Sequence, residues 1–303
     1  MTDKNKILIL GYGEMGHAME YLLQDSQKLD IWDKYPQDNF QSAVLEEVAP
    51  QADIVLFCLP VNPHREVAEQ IAPLLKDSCL CLSIAKGLDE AGQTAAQIFS
   101  DVFKINQSVL LYGPMISEEI QAGRYSFAQL GSVDNESFQK IRSLYESTNL
   151  YIEHSSDIVG ISWSVILKNV YAMIFGMADE CLLGDNMRGY LAYAALQELD
   201  HIVHEMGGQK GSPYHLAGLG DLITTATSED SHHHELGRML ARGETENIVG
   251  EGVHTLQMVA KYQLVDTQKY PLFQLIESIV KHPDNVETRI QAYLQKVYSH
   301  AKP

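Results

Sequence analysis

Basic residues are scarce in this chain of 303 residues: 22 Lys and Arg stand against 40 Asp and Glu, a formal net charge of −18. Nucleic acid and anionic membrane surfaces select basic faces, so neither is an expected partner. An anionic substrate requires a local cluster of cations working against the global field. Cysteine is scarce too. Cys58, Cys79, Cys81 and Cys181 lie in apolar runs without Cys-x-x-Cys spacing, so buried free thiols are expected rather than a metal centre. No stretch reads as a signal peptide, a lipidation motif or an apolar run of membrane-spanning length, and a cytoplasmic location is expected. Internal repeats and low-complexity tracts are missing as well. What is there is ordinary for a globular protein, 45% apolar and 20% charged residues, and the length suggests two domains with a core each.

Lys6-Ile-Leu-Ile-Leu10 is an all-apolar run, the pattern of a parallel strand covered on both faces. Gly11-Tyr12-Gly13-Glu14-Met15-Gly16 follows at once, and then His17–Leu23 with helical spacing. Between a strand and a helix, Gly-x-Gly-x-x-Gly permits a tight turn and close approach of backbone to a pyrophosphate, which the helix N-terminus then faces. The second strand, Leu29–Trp32, ends at Asp33. An acid there accepts hydrogen bonds from both ribose hydroxyls and repels a 2′-phosphate, favouring NAD over NADP, although Lys34 beside it works the other way. The competing reading of Asp33 is a plain surface acid at a strand end. Two further strands are expected, over Ala52–Leu59 before Pro60 and over Cys79–Ile84 before Lys86-Gly87. Val109–Tyr112 leads into Gly113-Pro114. In open parallel sheets ligands bind beyond the carboxyl ends of the strands, where Pro60, Lys86 and Gly113 fall. The alternation of strand and helix patterns makes this half a doubly wound α/β domain.

Helical periodicity dominates from Ser155 onward. Ser164–Ala195 reads as one long buried helix with Lys168 in its middle, flanked by Val165, Ile166, Leu167 and Val170. Two readings of Lys168 are open: a lysine snorkelling at the helix edge, or a desolvated catalytic cation meeting a reacting oxygen. A helix over Tyr190–Met206 ends at Gly207-Gly208, and a loop rich in glycine and hydroxyls runs from Ala217 to His234. Further helices are expected near 235–242, 252–262 and 271–280. His232, His233 and His234 are consecutive and do not easily converge on one ion, so no metal is expected.

Taken together, Gly11-x-Gly13-x-x-Gly16, Ala85-Lys86-Gly87, Gly113-Pro114, Leu167-Lys168-Asn169-Val170, Gly184-Asp185-Asn186, Gly218-Leu219-Gly220-Asp221-Leu222, Thr227-Ser228, Ser231 and Glu251-Gly252-Val253 follow a familiar order and spacing. From about residue 6 to 260 the chain resembles the NAD(P)-dependent glycerol-3-phosphate dehydrogenases. The resemblance implies a Rossmann domain with a doubly wound parallel sheet, placed here at residues 1–153. It implies an all-α domain of the 6-phosphogluconate dehydrogenase C-terminal type, placed at 154–303, with the active site in the cleft between the two. It implies reduction of dihydroxyacetone phosphate to sn-glycerol 3-phosphate with NAD, or NADP, as cofactor, feeding glycerophospholipid synthesis. The apolar helical half makes a homodimer the expected assembly.

The implied roles are specific. Lys168 is the general acid and base, with Asp221 and Lys86 beside it in the catalytic set. Gly113, Asn169, Thr225, Ser231, His232 and His233 join Lys86 and Asp221 around the substrate. Gly11, Tyr12, Gly13, Glu14, Met15, Gly16, Asp33, Pro60 and Lys86 hold the cofactor, and Glu251 lies near its nicotinamide half. The chemistry agrees: hydride reaching a ketone carbon builds negative charge on oxygen, which a cationic acid stabilises and then protonates. Burial and the neighbouring Lys86 are expected to lower the Lys168 pKa while Asp221 orients it.

The departures concern the substrate. Where the family reads Ser-Arg-Asn, the arginine gripping the substrate phosphate, this chain reads Ser231-His232-His233. Imidazole lacks the bidentate fork of a guanidinium. A family Thr-Arg-Gly appears as Tyr193-Ala194-Ala195, and Met115 replaces the small residue after Gly113-Pro114. Protonated His232 and His233 are one replacement for the missing charge; Lys210, Arg188 or Arg238 is another. The alternatives to the family activity are a same-fold dehydrogenase for another small keto or hydroxy substrate, and an NAD-binding protein without turnover.

Overall fold

The first apolar run forms β1 (Lys6–Leu10), buried from Ile7 onward. In this computed structural model, which describes residues 4–37, 40–228 and 231–299, β1 lies inside a seven-stranded sheet. The other strands are β2 (Lys28–Trp32), β3 (Ile54–Phe57), β4 (Leu80–Ser83), β5 (Ser108–Tyr112), β6 (Ser126–Gly131) and β7 (Leu150–Ser155), in the order β2-β1-β3-β4-β5-β6-β7. Alternate residues of β1 serve opposite faces: Ile7 and Ile9 join one apolar core, Leu8 and Leu10 the other. The helices of this part are α1 (Glu14–Leu23), α2 (Leu45–Val48), α3 (His64–Ile71), α4 (Ala95–Val102), α5 (Ser117–Gln121) and α6 (Asn135–Leu144).

The sequence leads one to expect a wholly parallel sheet, and this sheet has one antiparallel pair. β6 runs antiparallel to β5, and β7 is parallel to β6. Helix length explains this. The five residues of α5 span only about 8 Å at 1.5 Å per residue, too short to carry the chain back along the sheet, whereas the ten of α6 suffice for a parallel crossover. β7 also carries the sheet past the boundary expected at residue 153, and the chain divides into two compact units between Ser162 and Trp163.

The second unit is helical. Its elements are α7 (Ile158–Glu180), which begins before the division, α8 (Asp185–Glu205), α9 (Asp221–Thr227), α10 (His232–Ala241), α11 (Glu251–Tyr262), α12 (Pro271–Lys281) and α13 (Val286–Ser299). The stretch expected as one helix is therefore two. Leu182 (φ 55°) and Gly184 (φ 81°) take left-handed backbone conformations that end α7 and turn the chain into α8. α7 is long and apolar enough by composition to cross a membrane, contrary to the sequence reading, but 89% of its apolar window is buried within the protein. The expected loop from Ala217 to His234 is mostly helical. Its hydroxyls bond one turn back, Thr224 to Gly220 O (3.0 Å), Thr225 to Asp221 O (2.7 Å) and Thr227 to Ile223 O (2.8 Å), so they do not compete with the helix. Glu229 and Asp230 of that stretch lie outside the described residues.

Candidate active site

In the first unit the glycine turn leaves β1 at Gly11, whose φ of 92° suits glycine and whose amide bonds Trp32 O at 2.8 Å. A Cβ on Gly11 would press on Cys58 O, and one on Gly16 would collide with the Gly11 carbonyl. Gly13 is different: a Cβ there meets no protein atom within 4 Å. Internal packing therefore accounts for the first and third glycines, while the second opens onto space, which fits a turn shaped to receive a pyrophosphate. Glu14 is exposed in the first turn of α1, and the Met15 side chain packs toward the apolar core, leaving its backbone to the turn. The Tyr12 ring packs against His17 and Phe40 at 3.9 and 4.3 Å between centroids. Its hydroxyl donates to Glu20 at 2.5 Å, and burial with that carboxylate pushes the phenol up to about 12.

Asp33 stands at the end of β2 facing the same turn. Its two oxygens accept the amides of Tyr12 and Tyr35, both at 2.7 Å, so the carboxylate holds the glycine turn. Lys34 beside it ion-pairs with Glu66 at 2.9 Å, an exposed pair. Pro60 is exposed after β3. Lys86, in the turn after β4, donates to Gly113 O after β5 at 2.9 Å, joining two of the expected site residues. The sequence reading missed His64. Fully buried, it bonds Pro60 O through Nδ1 (2.8 Å) and Ser83 Oγ through Nε2 (2.9 Å). The available signal was a histidine on the first helical turn after the Pro60 turn.

In the second unit Lys168 is 4% exposed, which excludes snorkelling. Its Nζ lies 3.1 Å from Asp221 Oδ2 and 2.5 Å from Thr225 Oγ1, and Thr225 in turn donates to Asp221 O at 2.7 Å. α7 supplies the cation, and one turn of α9 supplies both partners, because Asp221 and Thr225 are four residues apart on one helix face. A buried ammonium held by a carboxylate and a hydroxyl is a proton donor with a fixed direction. Asn169 is buried beside it, and a Cβ on Gly252 would sit 2.6 Å from Asn169 O, which places the start of α11 against α7 there.

Ser231 caps α10, its hydroxyl accepting His234 N–H at 3.3 Å. His232 is exposed, with Nε2 on Val249 O at 2.8 Å; His233 Nε2 accepts the Gly252 amide at 3.3 Å. The accepting nitrogen of His233 carries no proton, so an imidazolium there would forfeit this bond. His234 pairs with Asp179 at 2.8 Å, and among the described residues no cluster of His, Cys, Asp and Glu fits a metal. Glu251 opens α11 half-buried, and desolvation raises its pKa above the ordinary carboxyl value. Of the other cations, Arg188 is held by Asp179 and Asp185, and Lys210 is exposed. Arg238 is half-buried on α10, without an ion pair among the described residues.

Two family models match in sequence: the NAD-dependent glycerol-3-phosphate dehydrogenase N-terminus over residues 33–138 and its C-terminus over 157–291. The glycerol-3-phosphate dehydrogenase [NAD(P)+] of Mycobacterium avium is 28% identical over 84% of this chain and 77% of its own length. That of Synechococcus elongatus is 27% identical over 98% of both chains. The fold is similar to the crystal structure of glycerol-3-phosphate dehydrogenase from Coxiella burnetii, with a TM-score of 0.83, 22% identity, and coverage of 96% of this chain and 99% of that one. The Lys168–Asp221–Thr225 cluster lies within the C-terminal match, the two matches together span most of the chain, and the chain belongs to the NAD-dependent glycerol-3-phosphate dehydrogenase family.

Proposed function

We propose that the protein reduces dihydroxyacetone phosphate to sn-glycerol 3-phosphate, reversibly, with NADH or NADPH as hydride donor. The observation that carries this reading is the buried Lys168, fixed by Asp221 and Thr225. Its relatives' names supply the substrate. The dinucleotide, when bound, supplies the hydride. Gly13 leaves room for its pyrophosphate, and Asp33 offers a carboxylate to its ribose. Lys168 stabilises the charge that grows on the ketone oxygen and delivers a proton to it from Nζ. Asp221 and Thr225 keep that ammonium aimed, so little reorganisation accompanies the transfer. Asn169, Lys86 and Gly113 complete the proposed substrate set. His232, at the position of the family's phosphate-gripping arginine, takes over that contact; His233, which serves the Gly252 amide, lines the pocket. A cytoplasmic homodimer whose product feeds glycerophospholipid synthesis belongs to the same proposal.

The test is NADH oxidation with dihydroxyacetone phosphate from about pH 5.5 to 8.5, beside unphosphorylated dihydroxyacetone and a blank. Turnover confined to the phosphorylated ketone is expected. A rate that falls with rising pH assigns the phosphate contact to an imidazolium. NADH binding without oxidation of the phosphorylated ketone overturns the substrate.

A further inference from the structure

The ladder between β3 and β4 ends with Ile84 N–H to Phe57 O at 3.4 Å. Beyond it the chain turns through Cys58–Pro60 on one side and Ala85–Lys86 on the other, and no main-chain ladder between β3 and β4 holds these two turns in register. His64 bridges the gap. Because a carbonyl only accepts, the Nδ1–H donates to Pro60 O, which makes Nε2 the acceptor of the Ser83 hydroxyl proton. The Ser83 oxygen is then oriented to accept the Ala85 amide at 3.2 Å, and the next residue, Lys86, reaches across to Gly113 O. The imidazole sits among the rings of Phe57 and Phe99, 5.1 and 5.8 Å between centroids, where an apolar side chain would pack as well. Burial holds the ring neutral, with its pKa lowered to about 4, so this hydrogen-bond polarity persists at physiological pH.

We propose that His64 is a positioning residue for the dinucleotide: its two ring nitrogens set the separation of the Pro60 turn and the Ser83–Lys86 turn at the carboxyl edge of the sheet. The inference rests on the proposed cofactor reading of that edge. It is tested by NADH titration and steady-state kinetics of the full chain and its variants. His64→Leu keeps the apolar packing and removes both bonds. Its NADH Kd and KM are expected to rise about tenfold, a larger factor than any fall in kcat, as befits a residue that acts on binding through the two turns. His64→Asn retains a donor near Nδ1 and His64→Gln an acceptor near Nε2, so each recovers part of the affinity. Ser83→Ala gives the same readout should His64→Leu fail to fold. Wild-type NADH affinity in both His64→Leu and Ser83→Ala overturns the inference alone. A wild-type chain that does not bind NADH overturns the cofactor reading, and the inference with it.

Discussion

Removing the Lys168 ammonium leaves Asp221 a buried carboxylate without its cation, so Lys168→Ala has two effects. Breaking one partner of a buried pair costs about 3–5 kcal/mol, and turnover is expected to fall at least about a thousandfold. Adding Asp221→Asn restores much of the stability and none of the activity. NADH affinity is expected to stay within about threefold of wild type in both variants, and its loss would make Lys168 structural. Urea denaturation beside single-turnover kinetics separates the two effects. Asp33 carries the second prediction at this scale. With both oxygens on backbone amides, Asp33→Ala weakens NADH binding and removes the charge that repels a 2′-phosphate. The NADPH-to-NADH ratio of kcat/KM is expected to rise about tenfold or more, the scale of a lost charged contact, and an unchanged ratio refutes that reading of the acid. Lys168 and Asp33 were legible in sequence because each is a charge in a locally defined place, mid-helix or strand end. His64 was not, because its partners lie on Pro60 and on Ser83, nineteen residues downstream.

Between elements, close approach and helix ends decide what the chain tolerates. α10 lies on α7 with backbone nearly touching: a Cβ on Gly237 would collide with Met173 O and lie 3.0 Å from Gly176 Cα. Gly237→Ala is therefore expected to destabilise by about 1–3 kcal/mol or more, despite alanine's better helix propensity, as thermal unfolding will report. Glu198 of α8 acts at another helix end. It accepts the first amides of α12, Leu272 at 2.7 Å and Phe273 at 2.8 Å, and the Tyr171 hydroxyl at 2.8 Å. Desolvation outweighs these bonds and raises its pKa above the ordinary carboxyl value. A raised folded pKa means that its contribution is fully present below the ordinary carboxyl pKa and is lost as pH rises through the raised value. Glu198→Gln is expected to lose this dependence, so the difference in Tm between variant and wild type shifts in the variant's favour from about pH 4 to pH 7. A difference constant across that range would sink the assignment. The α7–α8 break was hidden because Leu182 has no local reason to be left-handed. The antiparallel β6 was hidden because strand direction depends on how far α5 carries the chain.

For the whole molecule, net charge of −18 opposes the approach of any anionic substrate. The two parts of that interaction respond differently to salt. At contact distances of about 3–4 Å, a cation such as the side chain of Lys86 is hardly screened, whereas the field of the acidic surface beyond about 10 Å is largely removed at 0.1 M ionic strength. Raising salt from about 10 to 100 mM is therefore expected to increase kcat/KM for dihydroxyacetone phosphate about two- to threefold at saturating NADH. The neutral ketone, measured alongside, is expected to show no such rise. A steady fall with salt from the lowest concentration would mean that local cations dominate the field even at long range. That would make the acidic excess irrelevant to substrate capture. Composition alone announces this opposition of global and local charge, but only the folded chain shows that Lys34 is engaged by Glu66 and Arg188 by Asp179 and Asp185.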